Sequence, residues 1–266
     1  MSLFDLTGRV AIITGSSRGI GRAAAERLAE HGANVVISSR KLAGCQAVAE
    51  SINARQSTDP KSGRAIAVEA NISSKEALTI LVERAREAFG KIDILVCNAA
   101  TNVHFGSLST IKDEQFRKIL DNNILSNHWL IQLVAPEMVA RKEGAIVIVS
   151  SIGGLRGSPL IGAYNVSKAA DFQLARNLAV ELGPHNVRVN CVAPGIIKTD
   201  FARALWENPK IAKAAEAGMP LRRIGEPDDV AGAIVFLSSP AGRYITGQKI
   251  VIDGGTLITS AGLSAD

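Results

Sequence analysis

Short runs of apolar, β-branched residues alternate along the chain with longer stretches in which apolar residues recur every three or four positions. The runs Val10–Thr14, Asn34–Ser38, Ala65–Ala70, Ile92–Cys97, Ala145–Ser150, Val187–Val192 and Lys249–Ile252 predict seven strands. They are apolar almost throughout instead of alternating with polar residues, so both faces of the sheet must be covered, which is the pattern of a parallel sheet. The segments between them are long enough for helices and for right-handed crossovers, giving an α/β, doubly wound parallel sheet with helices on both faces. No Pro-, Ser- or Gly-rich linker and no internal repeat divides the chain, so a single domain is expected over 1–266. The least regular stretch, 199–221, holds Trp206, Pro209 and Pro220. It reads as a mobile substrate cap, or alternatively as a plain surface excursion.

Composition adds to this picture mainly by exclusion. With 266 residues and 47% hydrophobic content the chain can bury a sizeable core, mostly aliphatic since aromatics make up 4%. The net charge of +5 comes without a basic run longer than Arg222-Arg223, which favours small anions over nucleic acid as partners. Cys45, Cys97 and Cys191 are widely spaced and form no C-x-x-C, so neither a disulfide framework nor a zinc site is expected. His31, His104, His128 and His185 show no ligand spacing, and no metal is expected. The N-terminal residues lack a basic, then apolar, leader pattern, and no apolar run approaches the ~18 residues of a spanning helix. A cytoplasmic protein without a membrane partner is the expectation.

The first strand runs into Thr14-Gly15-Ser16-Ser17-Arg18-Gly19-Ile20-Gly21, followed by a helical pattern. Glycines at such a strand-to-helix turn let a pyrophosphate approach the backbone, and the N–H groups of the new helix attract the anion, as in Rossmann-type dinucleotide sites. An acidic residue at the end of the second strand would hold the ribose 2′-hydroxyl of NAD; here the chain reads Ser38-Ser39-Arg40-Lys41. Ser39 replaces the acid, and Arg40 together with Arg18 would grip a 2′-phosphate, so the expected cofactor is NADP. Arg40 and Lys41 as a solvated helix start is the alternative.

Further along, Ser151 follows the fifth strand, and Tyr164 and Lys168 stand four residues apart where a helical pattern begins, hence on one helix face. Reducing a carbonyl needs a hydride on carbon and a proton on oxygen. Tyr164 would be the acid, Ser151 would hold the oxygen, and the Lys168 ammonium would stabilise phenolate and draw the phenol toward neutral pH. Lys168 would also reach the nicotinamide ribose hydroxyls.

These motifs resemble those of the short-chain dehydrogenase/reductase family, and the resemblance extends from Leu6 to Gly255, closest in character to its NADP-dependent carbonyl-reductase branch. The resemblance implies that Asn123, with Asn122 as the competing neighbour, forms a kink holding a proton-relay water. It also implies that Pro194, Gly195, Ile197 and Thr199 hold the nicotinamide carboxamide. Cys97-Asn98-Ala99-Ala100 replaces the family's Asn-Asn-Ala-Gly, and Asn71 stands where an adenine-contacting aspartate is common; Asn71 and Asn98 are placed with the cofactor. A homotetramer is implied in the same way. Phe201 and Trp206 read as substrate contacts or as packing, with Phe105 and Ile152 as further pocket candidates.

The expected activity is hydride transfer between NADP(H) and a small-molecule carbonyl or secondary alcohol. A 3-oxoacyl-thioester reductase acting on an acyl carrier shares every motif, and a non-catalytic NADP-binding sensor or scaffold is the reading from outside enzymology.

Overall fold

A computed structural model of the chain describes residues 2–259. Strands β1 (Val10–Thr14), β2 (Asn34–Ser39), β3 (Ala65–Glu69), β4 (Ile94–Cys97), β5 (Gly144–Val149), β6 (Val187–Pro194) and β7 (Lys249–Ile252) form one parallel sheet in the order β3-β2-β1-β4-β5-β6-β7. All seven predicted strands are present, with ends shifted by up to two residues.

Successive strand residues serve opposite faces. Ala11, Val35, Ile37, Ile94 and Val96 pack on one side with helices α1 (Gly19–Glu30), α2 (Leu42–Gln56) and, late in the chain, Pro227–Ser238. Ile12, Val36, Leu95 and Cys97 pack on the other with α3 (Lys75–Phe89) and the helices Ser126–Arg141 and Gly162–Leu182. This two-sided burial explains the unbroken apolar runs. Three helices cover each face of a single α/β domain.

The helix α4 (Asp113–Leu120) continues through a π-turn at Asp121–Leu125 into α5 (Ser126–Arg141), and α6 (Gly162–Leu182) precedes β6. The 199–221 stretch is more regular than its sequence suggested: it contains α7 (Arg203–Trp206) and α8 (Pro209–Ala217), before α9 (Pro227–Ser238). The start of α8 follows an ordinary signal: the Asn208 side chain accepts from Lys210 N at 3.0 Å, and Pro209 takes the first helical position. Among the described residues no helix is long and apolar enough to cross a membrane.

Because every strand is parallel, their carboxyl ends share one edge. The sequence-order reversal lies between β1 and β4, and the crevice there is the expected ligand position in such sheets.

Candidate active site

The glycine turn leaves β1 at this switch point. Gly15 and Gly19 have φ of +65° and +58°, in the left-handed region that favours glycine, and a Cβ on Gly21 would lie 2.5 Å from both Asn98 Nδ2 and the Gly15 carbonyl. Helix α1 starts without a side-chain cap, so no side chain takes up its first N–H groups. The turn is braced from behind. Thr14 Oγ1 accepts from Asn98 N and Ala99 N at 3.1 Å each, and Asn98 Nδ2 donates to the carbonyls of Thr14 (2.9 Å) and Gly15 (3.2 Å). Ser16 Oγ accepts from Ser38 N at 2.9 Å, tying the turn to the end of β2. Asn98 thus shapes the cradle with its amide nitrogen.

The remaining expected cofactor residues lie along the same edge. Ser39, whose hydroxyl lies 3.1 Å from Cys45 Sγ, is followed by exposed Arg40. Asn71 is exposed after β3 and accepts from Ser73 N at 3.2 Å. Ile20 packs partly onto the core. Pro194 closes β6, Gly195 N donates to Ile252 O at 2.9 Å, and the Ile197 side chain is buried beneath. Thr199 meets the glycine turn, its Cγ2 lying 3.1 Å from where a Gly19 Cβ would be. Arg18 reaches across to Asp200 at 2.8 Å, and Asp200 also holds Arg203 at 2.8 Å. A tight, uncapped, glycine-lined cradle flanked by Ser17, Arg18 and Arg40 fits the phosphates of a dinucleotide.

The chemistry-bearing residues converge beside it. Ser151 opens a short 3-10 turn after β5, and its hydroxyl accepts from Gly153 N at 2.9 Å. Gly154 lets this turn lie on α6: a Cβ there would come within 2.6–2.7 Å of backbone atoms of Lys168 and Ala169. The Ser150 hydroxyl donates to Lys168 O at 2.7 Å, a second stitch between the two segments. Gly154→Ala is therefore expected to push Ser151 away from α6. It should lower stability by about 1–3 kcal/mol, as overpacking does, measured as a fall in melting temperature with a parallel loss of turnover.

Tyr164 and Lys168 sit one turn apart in α6, with the Lys168 nitrogen 5.8 Å from the Tyr164 ring centre and the Phe201 ring 5.8 Å away on another side. Burial pushes the Tyr164 phenol above its ordinary value; Lys168 and the Ser151 hydroxyl pull it down, and Asp171 adds a smaller upward push. The lowering expected from Lys168 is present, but burial exceeds it.

Lys168 is 2% exposed. Its ammonium donates to Val149 O at 2.9 Å and to Asp171 Oδ2 at 3.1 Å. Burial favours loss of its proton, but the attraction of Asp171 and Tyr164 outweighs this and leaves the ammonium above the ordinary lysine range.

Asn123 is fully buried in the π-turn, where its side chain accepts from Thr101 N (2.8 Å) and donates to Thr101 O (3.0 Å) and Ser167 Oγ (2.9 Å). Its carbonyl accepts from Asn127 Nδ2 at 2.7 Å, and that same nitrogen donates to Asp171 Oδ1 at 3.2 Å. A continuous path, Asn123 to Asn127 to Asp171 to Lys168, therefore runs through protein groups. Asn122 points elsewhere, accepting from Ser73 Oγ at 2.7 Å.

Sequence reasoning passed over Asn127, Asp171 and Asp200. Asp171 left a signal: positions 164, 168, 171 and 175 follow the 4-3-4 spacing of one helix face, so a carboxylate there is buried and needs a partner. Of the pocket candidates, Ile152 is buried, Phe105 is exposed, and Trp206 donates its ring N–H to Thr199 O at 2.8 Å under Lys198. A cavity of about 150 Å³ lies behind the Pro194–Thr199 segment, lined by Ile196, Ile197, Met219, Leu221 and Ile252. Among the described residues no group of three His, Cys, Asp or Glu is placed to hold a metal.

The chain matches a family model described as enoyl-(acyl carrier protein) reductase over residues 15–256. It is 42% identical over 255 residues to dehydrogenase/reductase SDR family member 4 of Bos taurus, covering 95% of this chain and 88% of the relative. Among solved structures it is similar to a candidate gluconate dehydrogenase from Agrobacterium tumefaciens, with TM-score 0.92, 30% identity and coverage of 98% of this chain and 100% of that one. A 7α-hydroxysteroid dehydrogenase complexed with NADH and 7-oxo glycochenodeoxycholic acid gives TM-score 0.89 at 36% identity, covering 95% of this chain and 96% of that one. A candidate NAD(P)-dependent gluconate 5-dehydrogenase from Beutenbergia cavernae, with NADP at low occupancy, gives TM-score 0.89 at 32% identity, covering 97% of this chain and 100% of that one.

Proposed function

This chain belongs to the short-chain dehydrogenase/reductase family, whose members use NAD(P), and from that premise we propose that it moves a hydride between NADP(H) and a carbonyl or secondary-alcohol substrate. The observation that carries the proposal is the arrangement of Tyr164, Lys168 and Ser151 around one point at the carboxyl edge of the sheet, next to the glycine cradle.

The nicotinamide supplies or accepts the hydride. In reduction, the Ser151 hydroxyl holds the substrate oxygen and the Tyr164 O–H gives it a proton; in oxidation Tyr164 takes the proton back. The buried Lys168 charge stabilises the phenolate between the two events. The glycine turn and the α1 N-terminus would take the pyrophosphate, and Pro194, Gly195, Ile197 and Thr199 would form the far wall where the carboxamide lies. Phosphate preference rests on what replaces the acid at the end of β2: Ser39 and Arg40 offer a hydroxyl and a guanidinium, and Arg18 lies within the same cradle.

Phe201 beside Tyr164, with exposed Leu160 hydrogen-bonded through its carbonyl to Gly106 N at 2.8 Å, gives the substrate side an apolar wall. That favours ketones with an apolar body, and the 199–221 segment would act as their cap. The same reading takes in a cytoplasmic homotetramer, for which exposed Val180 on α6 offers apolar surface.

The test is NADPH oxidation followed across simple ketones, diketones, sugar acids and 3-oxoacyl thioesters. Turnover of ketones with an apolar body above the thioesters is the expected outcome. Preference for the thioesters would move the assignment to acyl chains. No oxidation of any carbonyl, with NADPH still bound, would remove the catalytic reading.

A further inference from the structure

Asp171 is a buried carboxylate with no role in the hydride-transfer scheme above, yet it lies directly against the lysine of the site. It is fully buried on the inner face of α6 and receives two hydrogen bonds, from Lys168 Nζ at 3.1 Å and from Asn127 Nδ2 at 3.2 Å. Its own carbonyl accepts from the Cys191 thiol at 3.5 Å. A buried carboxylate is costly unless paired, so its place beside the Lys168 ammonium calls for an account in terms of that ammonium.

We propose that Asp171 is a positioning residue of the reaction: it fixes the Lys168 ammonium in the floor of the site and, by pairing with it, limits how much positive charge reaches the Tyr164 phenol. This rests on the reading of Tyr164 as the acid–base group. The geometry supports both halves of the proposal. The ammonium has two fixed acceptors, Val149 O from β5 and Asp171 Oδ2 from its own helix, so its location is set before any ligand arrives. Asn127 anchors Asp171 in turn, spending its second N–H on the Asn123 carbonyl. The π-turn, α5 and α6 are thereby locked to one another through the pair.

The electrostatic half follows from charge balance. A lone ammonium near the phenol favours phenolate strongly, whereas an ammonium paired with a carboxylate is nearly neutral at a distance and favours it less. The groups that face the pair are few. From α6 comes Tyr164; from β4 and β6 come the Cys97 and Cys191 thiols, both pushed far up by burial and therefore neutral; Arg176 faces Cys191 from further along α6. The phenol itself faces Lys168, Ser151 and Asp171. While Lys168 keeps its proton, removing the Asp171 charge leaves the ammonium unopposed, so phenolate is favoured and the Tyr164 titration moves to lower pH.

The chain has two tyrosines, and Tyr244 is fully exposed, so a Tyr244→Phe background leaves Tyr164 as the sole source of the phenolate absorbance near ~295 nm. In that background, Asp171→Asn and Asp171→Leu are expected to lower the absorbance midpoint by about one pH unit, and Asp171→Glu to stay near the parent. The asparagine variant keeps an oxygen for Lys168 or Asn127 to bond, the leucine variant keeps none, and either one reports once folded; folding is checked by a cooperative thermal transition. The pH dependence of kcat/KM for alcohol oxidation should move in the same direction. An unchanged or raised midpoint in either folded variant overturns the proposal. Because the titration needs no turnover, a shifted midpoint together with full activity of Tyr164→Phe would sustain the coupling and instead refute the role given to Tyr164.

Discussion

Replacing Tyr164 by phenylalanine is expected to reduce kcat by ~10² or more while nucleotide affinity stays within about twofold of the parent. The substitution deletes one oxygen. The ring remains against Phe201, Lys168 keeps its bonds to Val149 O and Asp171, and the glycine turn is untouched, so the cradle keeps its shape. What is lost is the proton that must reach the substrate oxygen as the hydride reaches carbon, a contribution typical of general acid catalysis. Steady-state kinetics give the first number and fluorescence titration with NADPH the second. Unchanged turnover would take Tyr164 out of the chemistry; a collapse in nucleotide binding alongside turnover would mean that the phenol acts on the cofactor site instead.

The second large effect concerns nucleotide choice. Arg40→Asp is expected to reverse the preference from NADP to NAD, changing the ratio of kcat/KM values by about 10² or more. Arg40 stands exposed at the end of β2, where nothing in the core depends on it. A guanidinium–phosphate contact contributes roughly 1.5–3 kcal/mol, and a carboxylate in its place adds repulsion, with each 1.4 kcal/mol worth about tenfold. Direct binding of the two nucleotides should show the same reversal without any turnover. A ratio that stays put would assign Arg40 to the solvated start of α2 and leave Arg18 and Ser39 to explain any phosphate preference.

These two predictions draw on residues that could be found without coordinates, and the reason is local. The glycine turn, the missing acid after Ser38 and the Tyr164–Lys168 spacing are each contained within a few consecutive residues, and their meaning follows from strand-to-helix geometry and helical period. The seven strands were legible for a similar reason: burial on both faces writes an apolar run that few other structures write. Strand ends were less so, because Pro194 and Ser39 extend pairing past the apolar run.

What escaped was long-range. Asn127 and Asp171 acquire their roles from a contact between α5 and α6, and nothing near either residue in sequence announces the other. Asp200 meets Arg18 only because β6 returns beside the glycine turn. The 199–221 region reads as irregular because of its prolines, yet Pro209 sits where helices accept proline most readily.

The Arg18–Asp200 contact joins the glycine turn to the stretch carrying Phe201, and both partners are well exposed. Such a seam is fastened by charges that water and dissolved ions weaken freely. On the proposed reading, a long, multiply charged dinucleotide would meet at this mouth a contact that salt weakens, while the aliphatic layers on either side of the sheet, being uncharged, would not respond.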